Sequence, residues 1–205
     1  HRMIQGQLIL VSAPSGAGKT SLVSAALESD QHLVVAVSHT TREPRVGEQD
    51  GVNYHFVNHN KFGQMIAGEE FLEYAEVFDN RYGTSRSEVS GERENGQDVI
   101  LEIDWQGAAQ VRAIMPDAVS IFILPPSIQT LEDRLISRGQ NTAENIQRRL
   151  GEASLEMASA VNFDYLIIND DFDIALAQLL SVIRTGRQST AIQTQRPEIK
   201  SLLGL

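Results

Sequence analysis

The chain of 205 residues is 41% hydrophobic and 21% charged, carries 27 acidic against 17 basic residues for a formal net charge of -10, and has no cysteine. One ordinary domain with an inserted subdomain fits that length; disorder, a disulfide framework, a thiol nucleophile and cysteine-ligated metal are all excluded, and the lack of thiols suits a reducing cytosol. The acidic balance argues against nucleic acid polymers and anionic membranes as partners, so any anionic ligand must be gathered by cations clustered locally.

No apolar run approaches the roughly 20 residues of a membrane helix, and the N-terminus lacks a signal-peptide core, so a cytoplasmic protein is expected. His1 and Arg2, ahead of Met3, read as vector-derived and carry no functional weight. Leu8 to Val11 predicts a first strand. It runs into Ser12-Ala13-Pro14-Ser15-Gly16-Ala17-Gly18-Lys19-Thr20 and then the helix-forming Ser21 to Leu27. Strand, glycine-bearing loop and helix in that order aim consecutive backbone N–H groups at a phosphate, with Lys19 reaching the terminal phosphates and the Thr20 hydroxyl free for Mg²⁺. Ala13 replaces the first glycine of the usual G-x-x-x-x-G-K-[ST] pattern, while Gly16 and Gly18 keep the freedom where backbone meets phosphate.

Leu33 to Val37 predicts a second strand. Behind it Ser38-His39-Thr40-Thr41-Arg42-Glu43-Pro44-Arg45-Val46-Gly47-Glu48 lies at the carboxyl end of the sheet, where ligands bind. Arg42 and Arg45 flank Pro44, and guanidinium groups bind phosphate bidentately; Tyr54 and Tyr82 offer further donors. From about Thr40 to Asn95 the strand-helix rhythm breaks into short alternating pieces such as Tyr54-His55-Phe56-Val57, which reads as an insertion. His55 and His59 are four apart in a segment that reads as extended, a poor metal pair.

Val99 to Ile103 predicts a third strand, ending in Asp104, where nucleotide-binding sheets hold a carboxylate near the metal. Ile121 to Leu124 and Tyr165 to Ile168 complete five near-continuous apolar runs, the pattern of strands covered on both faces in a parallel α/β sheet. Ile128, Leu131 and Leu135 recur at helical spacing, as do Ile146, Leu150, Met157 and Val161, and Leu176, Leu179, Leu180 and Ile183. Asn141 with Glu144 resembles a helix start. Arg134 and Arg138 stand four apart on the first of these helices, with Arg148 and Arg149 on the next, joined by the flexible Gly139 to Thr142. These arginines suit a lid, although from spacing alone solvated salt bridges on an amphipathic pair account for them better. The tail after Arg187 is polar and is expected to pack loosely.

The phosphate loop, Ser38 to Glu48 with Gly51 and Tyr54, Asn80-Arg81-Tyr82-Gly83-Thr84, Ile103-Asp104-Trp105-Gln106-Gly107 and Asn169-Asp170-Asp171 resemble, in order and spacing, those of bacterial guanylate kinases over about Gln7 to Arg187. The run T-T-R-x-P-R-x-G-E is the most specific of them, and Ala13 is usual among bacterial members. The resemblance implies an α/β fold: a P-loop parallel five-stranded sheet with helices on both faces, an inserted nucleoside-monophosphate-binding subdomain and a helical lid. Residues 3–205 then form one domain, with core 3–37, 96–127 and 160–187, GMP-binding insertion 38–95, lid 128–159 and tail 188–205. The implied activity is Mg²⁺-dependent transfer of the ATP γ-phosphoryl group to GMP, with ATP and GMP as partners and a homo-oligomer possible.

Carried over residue by residue, Ala13 to Thr20 hold ATP. Arg42, Arg45, Tyr54 and Tyr82 hold the GMP phosphate; Ser38, Glu73 and Thr84 surround the guanine. Lys19, Arg42, Arg134, Arg138 and Arg149 are the catalytic cations, and Thr20 and Asp104 the metal residues. Glu102 stands where the family commonly has Asp, one methylene longer toward the base. Guanine presents adjacent N1–H and N2–H donors that one carboxylate accepts together, whereas adenine offers an acceptor at N1, so Glu73 suits guanine. The phosphate oxygen of GMP is already ionised and needs no general base. Closure of acceptor subdomain and lid is expected, to exclude water. Two alternatives stand beside this reading: a kinase for another nucleoside monophosphate, and a non-catalytic guanylate-kinase-like binding module, which the intact Lys19, Thr20, Arg42 and Arg45 disfavour.

Overall fold

The computed structural model describes residues 4–77, 79–137 and 142–205. In chain order the first half forms β1 (Leu8–Ser12), α1 (Lys19–Ser29), β2 (Leu33–Val35), β3 (His39–Thr40), β4 (His55–Phe56), α2 (His59–Ala67), β5 (Phe71–Val77), β6 (Asn80–Ser85) and α3 (Arg86–Glu94). The second half adds β7 (Asp98–Glu102), α4 (Trp105–Ile114), β8 (Val119–Leu124), α5 (Ile128–Ser137), α6 (Ala143–Ala158), a 3₁₀ turn at Ser159–Asn162, β9 (Tyr165–Ile168), α7 (Phe172–Gly186), α8 (Thr190–Gln193) and α9 (Pro197–Leu203).

All five apolar runs become strands of one parallel sheet in the order β2-β7-β1-β8-β9. β1 is central, and its alternate side chains feed two cores. Ile9 and Val11 pack with Leu22 and Ala26 of α1 and with Ala175, Leu179 and Ile183 of α7. Leu8 and Leu10 pack on the other face with Val89 of α3 and Ala108 and Val111 of α4. Each buried aliphatic side chain contributes roughly 1.5–3 kcal/mol, which explains why so short a strand anchors the loop that follows it.

Several expectations change, among them that of an extended segment through His59, which opens α2. Tyr165 to Ile168 is an edge strand: Ile167 is buried, but Tyr165, Leu166 and Ile168 are exposed, so an unbroken apolar run here does not mean cover on both faces. The lid helix α6 ends at Ala158, and Val161 falls in the 3₁₀ turn, 82% exposed, because the chain tightens there before entering β9. Its cap is Thr142, whose hydroxyl accepts from Asn145 N at 3.3 Å, rather than Asn141. Asn141, with Arg138, Gly139 and Gln140, lies outside the described residues.

The insertion builds a second sheet, β4-β3-β6-β5, with β3 parallel to β4 and antiparallel to β6. Phe62 and Met65 of α2 cover one face against Phe71. The registers Thr40↔Phe56, Thr40↔Tyr82 and Glu73↔Thr84 place those five side chains together on the opposite face, because cross-strand partners share a side and the period is two. Leu72 of β5 joins the core of Leu8 and Leu10, so this second sheet is fastened to the first. The tail is more ordered than its polarity suggests: Gln193 Nε2 donates to Arg187 O at 2.7 Å, and Gln5 N donates to Gln195 Oε1 at 2.8 Å.

At the amino end of the large sheet, Arg187 Nε donates to Asp98 Oδ2 at 2.6 Å and its Nη1 to Asp30 Oδ2 at 2.9 Å. The Arg187 guanidinium, against the opposing effect of burial, holds the Asp30 carboxyl at about 2 rather than 3.8. A depressed carboxyl contributes stability that is present above the unfolded value and lost as pH falls through the folded one, here about 2 kcal/mol. Asp30→Asn is therefore expected to lower the urea midpoint at pH 7, with the deficit shrinking as pH falls from 3.8 toward 2; a deficit constant across that window would show that the pair adds nothing.

Candidate active site

β1 ends at Ser12, whose hydroxyl donates to Ile103 O at 2.5 Å, fixing the start of the loop against β7. Gly16 and Gly18 have φ of +89° and +84°, which L side chains rarely adopt. The loop carbonyls are tied outward: Arg134 Nη1 donates to Gly16 O and Asn169 Nδ2 to Ala17 O, both at 2.8 Å. Ala17 N donates to Pro14 O at 3.2 Å, closing a turn within the loop, and the dipole of α1 adds positive character at the loop's end. A Cβ on Gly18 would meet Asn169 Nδ2 at 2.5 Å. Lys19 and Thr20 open α1 immediately behind the loop.

Thr20 shares a cleft of about 360 Å³ with Ser38, Tyr54 and Glu102. Thus the start of α1, the exit of β2, the acceptor sheet and the end of β7 converge. Asp104 follows Glu102 and caps α4 by accepting from Gly107 N at 2.7 Å, so the expected metal carboxylate also has a local structural duty.

On the face of the second sheet opposite α2 the residues expected around a base are hydrogen bonded in series. Ser38 Oγ lies 3.3 Å from Thr84 Oγ1, which donates to Glu73 Oε1 at 3.0 Å. Burial pushes the Glu73 carboxyl up to about 7, the Thr84 hydroxyl opposes this, and the charge of Asp104 adds to it. Glu102 is exposed in the cleft and stands outside this chain of bonds.

The residues expected around a phosphate form the other end of the face. The Arg42 guanidinium stacks 5.3 Å from the Tyr54 ring centroid and 5.9 Å from that of Phe56, and the Tyr54 and Tyr82 rings stand 6.0 Å apart. Arg42 Nη2 donates to Glu48 Oε1 at 2.9 Å, and Arg45 N donates to Glu48 Oε2 at 2.8 Å. The Arg45 side chain is exposed beside them.

The lid arginines divide. Arg134 of α5 is already on the phosphate loop, whereas Arg149 is exposed on α6 and forms no ion pair among the described residues. Arg138 lies outside those residues. Three side chains were missed by spacing. Asn169, 5% exposed at the end of β9, belongs to the Asn169-Asp170-Asp171 motif of the resemblance, but spacing assigned it no role. Glu48 was visible as the last residue of the arginine segment. Glu156 of α6 carried no signal: burial raises its carboxyl, the charges of Asp104 and Glu152 add to the rise, and that of Lys19 opposes it.

A family model described as guanylate kinase matches residues 5–186. Guanylate kinase of Hahella chejuensis is 56% identical over 196 residues, covering 96% of this chain and 94% of that protein. That of Alkalilimnicola ehrlichii is 53% identical over 203 residues, covering 97% and 99%. The crystal structure of guanylate kinase from Anaplasma phagocytophilum aligns with a TM-score of 0.75 at 31% identity, covering 92% of this chain and 90% of that one.

The environment of Glu73 makes a signed prediction. With its carboxyl raised from 4.5 to about 7, the folded state holds this proton more tightly than the unfolded state. The associated stability is complete below 4.5 and is lost as pH rises through about 7. Glu73→Gln escapes that loss and still accepts from Thr84, so it is expected to melt above the parent at pH 8, the gap closing by pH 5. A variant that melts lower at pH 8 would contradict burial as the dominant cause.

Proposed function

The chain belongs to the guanylate kinase family, and from that premise we propose how its own residues transfer the γ-phosphoryl group of ATP to GMP, giving ADP and GDP. The observation that carries the assignment of sites is the acceptor face, with the Ser38-Thr84-Glu73 chain at one end and Arg42, Tyr54 and Tyr82 at the other. A carboxylate and two hydroxyls suit the donor edge of guanine, and cations with phenols suit a phosphate, so the face has the polarity of GMP along its length.

Residues 13–20 form the loop that holds the ATP phosphates, with backbone amides at the start of α1 as donors. Lys19 offsets charge on the terminal phosphates. Arg42 and Arg45 neutralise the acceptor phosphate with Tyr54 and Tyr82. Arg134, Arg138 and Arg149 approach the transferring group as the lid closes, and Glu102 lines the cleft between the two substrates. Thr20 and Asp104 are hard oxygen donors near the loop and would hold Mg²⁺, which takes one or two protein oxygens together with phosphate oxygens and water. When bound, the ion supplies charge neutralisation across the donor phosphates. No residue takes a proton from the acceptor, because its attacking oxygen is ionised at neutral pH; the protein orients two anions in line and excludes water.

The functional division is core 3–37, 96–127 and 160–187, acceptor insertion 38–95, lid 128–159 and tail 188–205. We read the setting as cytoplasmic, with ATP and GMP as the small-molecule partners. Among the described residues no helix is long and apolar enough to cross a membrane.

The test is a coupled assay with ATP and Mg²⁺ across GMP, AMP, UMP, dTMP and IMP. GMP is expected to be turned over far faster than AMP; comparable turnover of AMP would overturn the guanine assignment. Lys19→Ala should fold normally and lose about a hundredfold or more in kcat, and near-normal turnover would remove Lys19 from its role.

A further inference from the structure

Pro44, the arginines on either side of it and Gly47 form a segment whose geometry depends on one side chain. Glu48 N donates to Arg45 O at 3.0 Å, closing a turn with Gly47 at φ +88° in its third position. A negative φ at residue 46 followed by a positive one at Gly47 is the pattern of a type II turn, which needs glycine there. The Glu48 carboxylate then uses both oxygens. Oε2 accepts from the Arg45 amide at 2.8 Å, and Oε1 accepts from Arg42 Nη2 at 2.9 Å. Further restraint on Arg42 comes from Glu43 O, which accepts from Nη1 at 2.9 Å, and from the rings of Tyr54 and Phe56, whose centroids lie 5.3 and 5.9 Å away.

The guanidinium is thereby held by Glu48 and Glu43 and lies beside aromatic rings. A free arginine loses rotamer freedom when it binds phosphate; one already fixed does not, and its fork meets the phosphate in the orientation it needs. The Arg42-Glu48 pair is only 15% and 21% exposed, and the guanidinium holds the Glu48 carboxyl below its usual range, so the pair stays ionised near neutrality.

Resting on the reading of Arg42 and Arg45 as the acceptor-phosphate cations, we propose that Glu48 is a positioning residue for the acceptor phosphate, fixing the Arg42 fork and the Arg45 turn in a single arrangement. Its carboxylate is not a stand-in that the phosphate must displace: one oxygen belongs to a backbone amide, and the turn holds the residue in place independently of Arg42.

Binding of GMP and of guanosine, measured by calorimetry on the parent and on Glu48→Gln, separates these cases. Glu48→Gln is expected to weaken GMP about tenfold while leaving guanosine binding and the KM for ATP unchanged. Glu48→Asp, which keeps the charge but is too short to span both partners, should recover part of the loss. GMP binding that is unchanged or tighter in Glu48→Gln overturns the proposal, as does an equal loss for guanosine, which would mark a general structural role. A parent that binds GMP no tighter than guanosine overturns the phosphate reading itself and Glu48's role with it.

Discussion

A backbone that must present its amides to a phosphate has to dispose of its carbonyls, and the active site is organised around that constraint. Arg134 takes the carbonyl of Gly16 and Asn169 that of Ala17, so the loop is held from α5 on one side and from the end of β9 on the other. The buried β1 beneath supplies a fixed origin, and Ser12 ties its end to β7. Residues 118 and 152 positions away in sequence therefore decide the conformation of one short loop. That dependence accounts for the glycine at position 18, where the Asn169 amide leaves no room for a Cβ.

On the proposed reading the acceptor sheet meets a different difficulty, because a base end and a phosphate end need opposite electrostatics. Glu73 is largely buried and costs desolvation, which the Thr84 hydroxyl offsets only in part. Arg42 is also withdrawn from solvent but is matched by Glu48 and aromatic faces. The base end thus holds an under-compensated carboxylate, and the phosphate end a compensated cation. An unsatisfied buried acceptor penalises any base that cannot donate to it, which gives discrimination, whereas a preset guanidinium gives affinity. The net charge of -10 describes the exterior and not this face.

Legibility in the sequence follows the range of the interactions. The phosphate loop is contiguous, so its residues could be read from spacing, and the five apolar runs could be read because a covered parallel sheet demands them. β9 shows the limit: its composition matched a central strand, yet position in the sheet is set by which strands remain to pair with it. The acceptor sheet was opaque. β3 and β4 have two residues each, too few to show an alternation, and Ser38 meets Thr84 across 46 positions. Glu69, Glu70 and Glu73 were indistinguishable until family resemblance chose the last; the fold leaves the first two exposed and pairs the third with Thr84. Glu156 and Asn169 act through contacts that local spacing does not record.

The cations proposed for catalysis sit on separately anchored elements, and physics favours that arrangement over a single cluster. Arginines and a lysine crowded together without substrate would repel one another and cost stability in a low-dielectric cleft. Here Arg42 rests against Glu48 on the acceptor segment and Arg134 against a loop carbonyl, Lys19 opens α1, and Arg149 remains exposed on α6. The two engaged arginines are each held on an acceptor, and Arg149 is in solvent. On the proposed function, two anionic substrates would supply the charge that lets these groups converge, and closing the cleft would be favoured with both bound. The same closure would keep water from the transferring phosphoryl group, which ties the acidic composition of the chain to the split location of its cations.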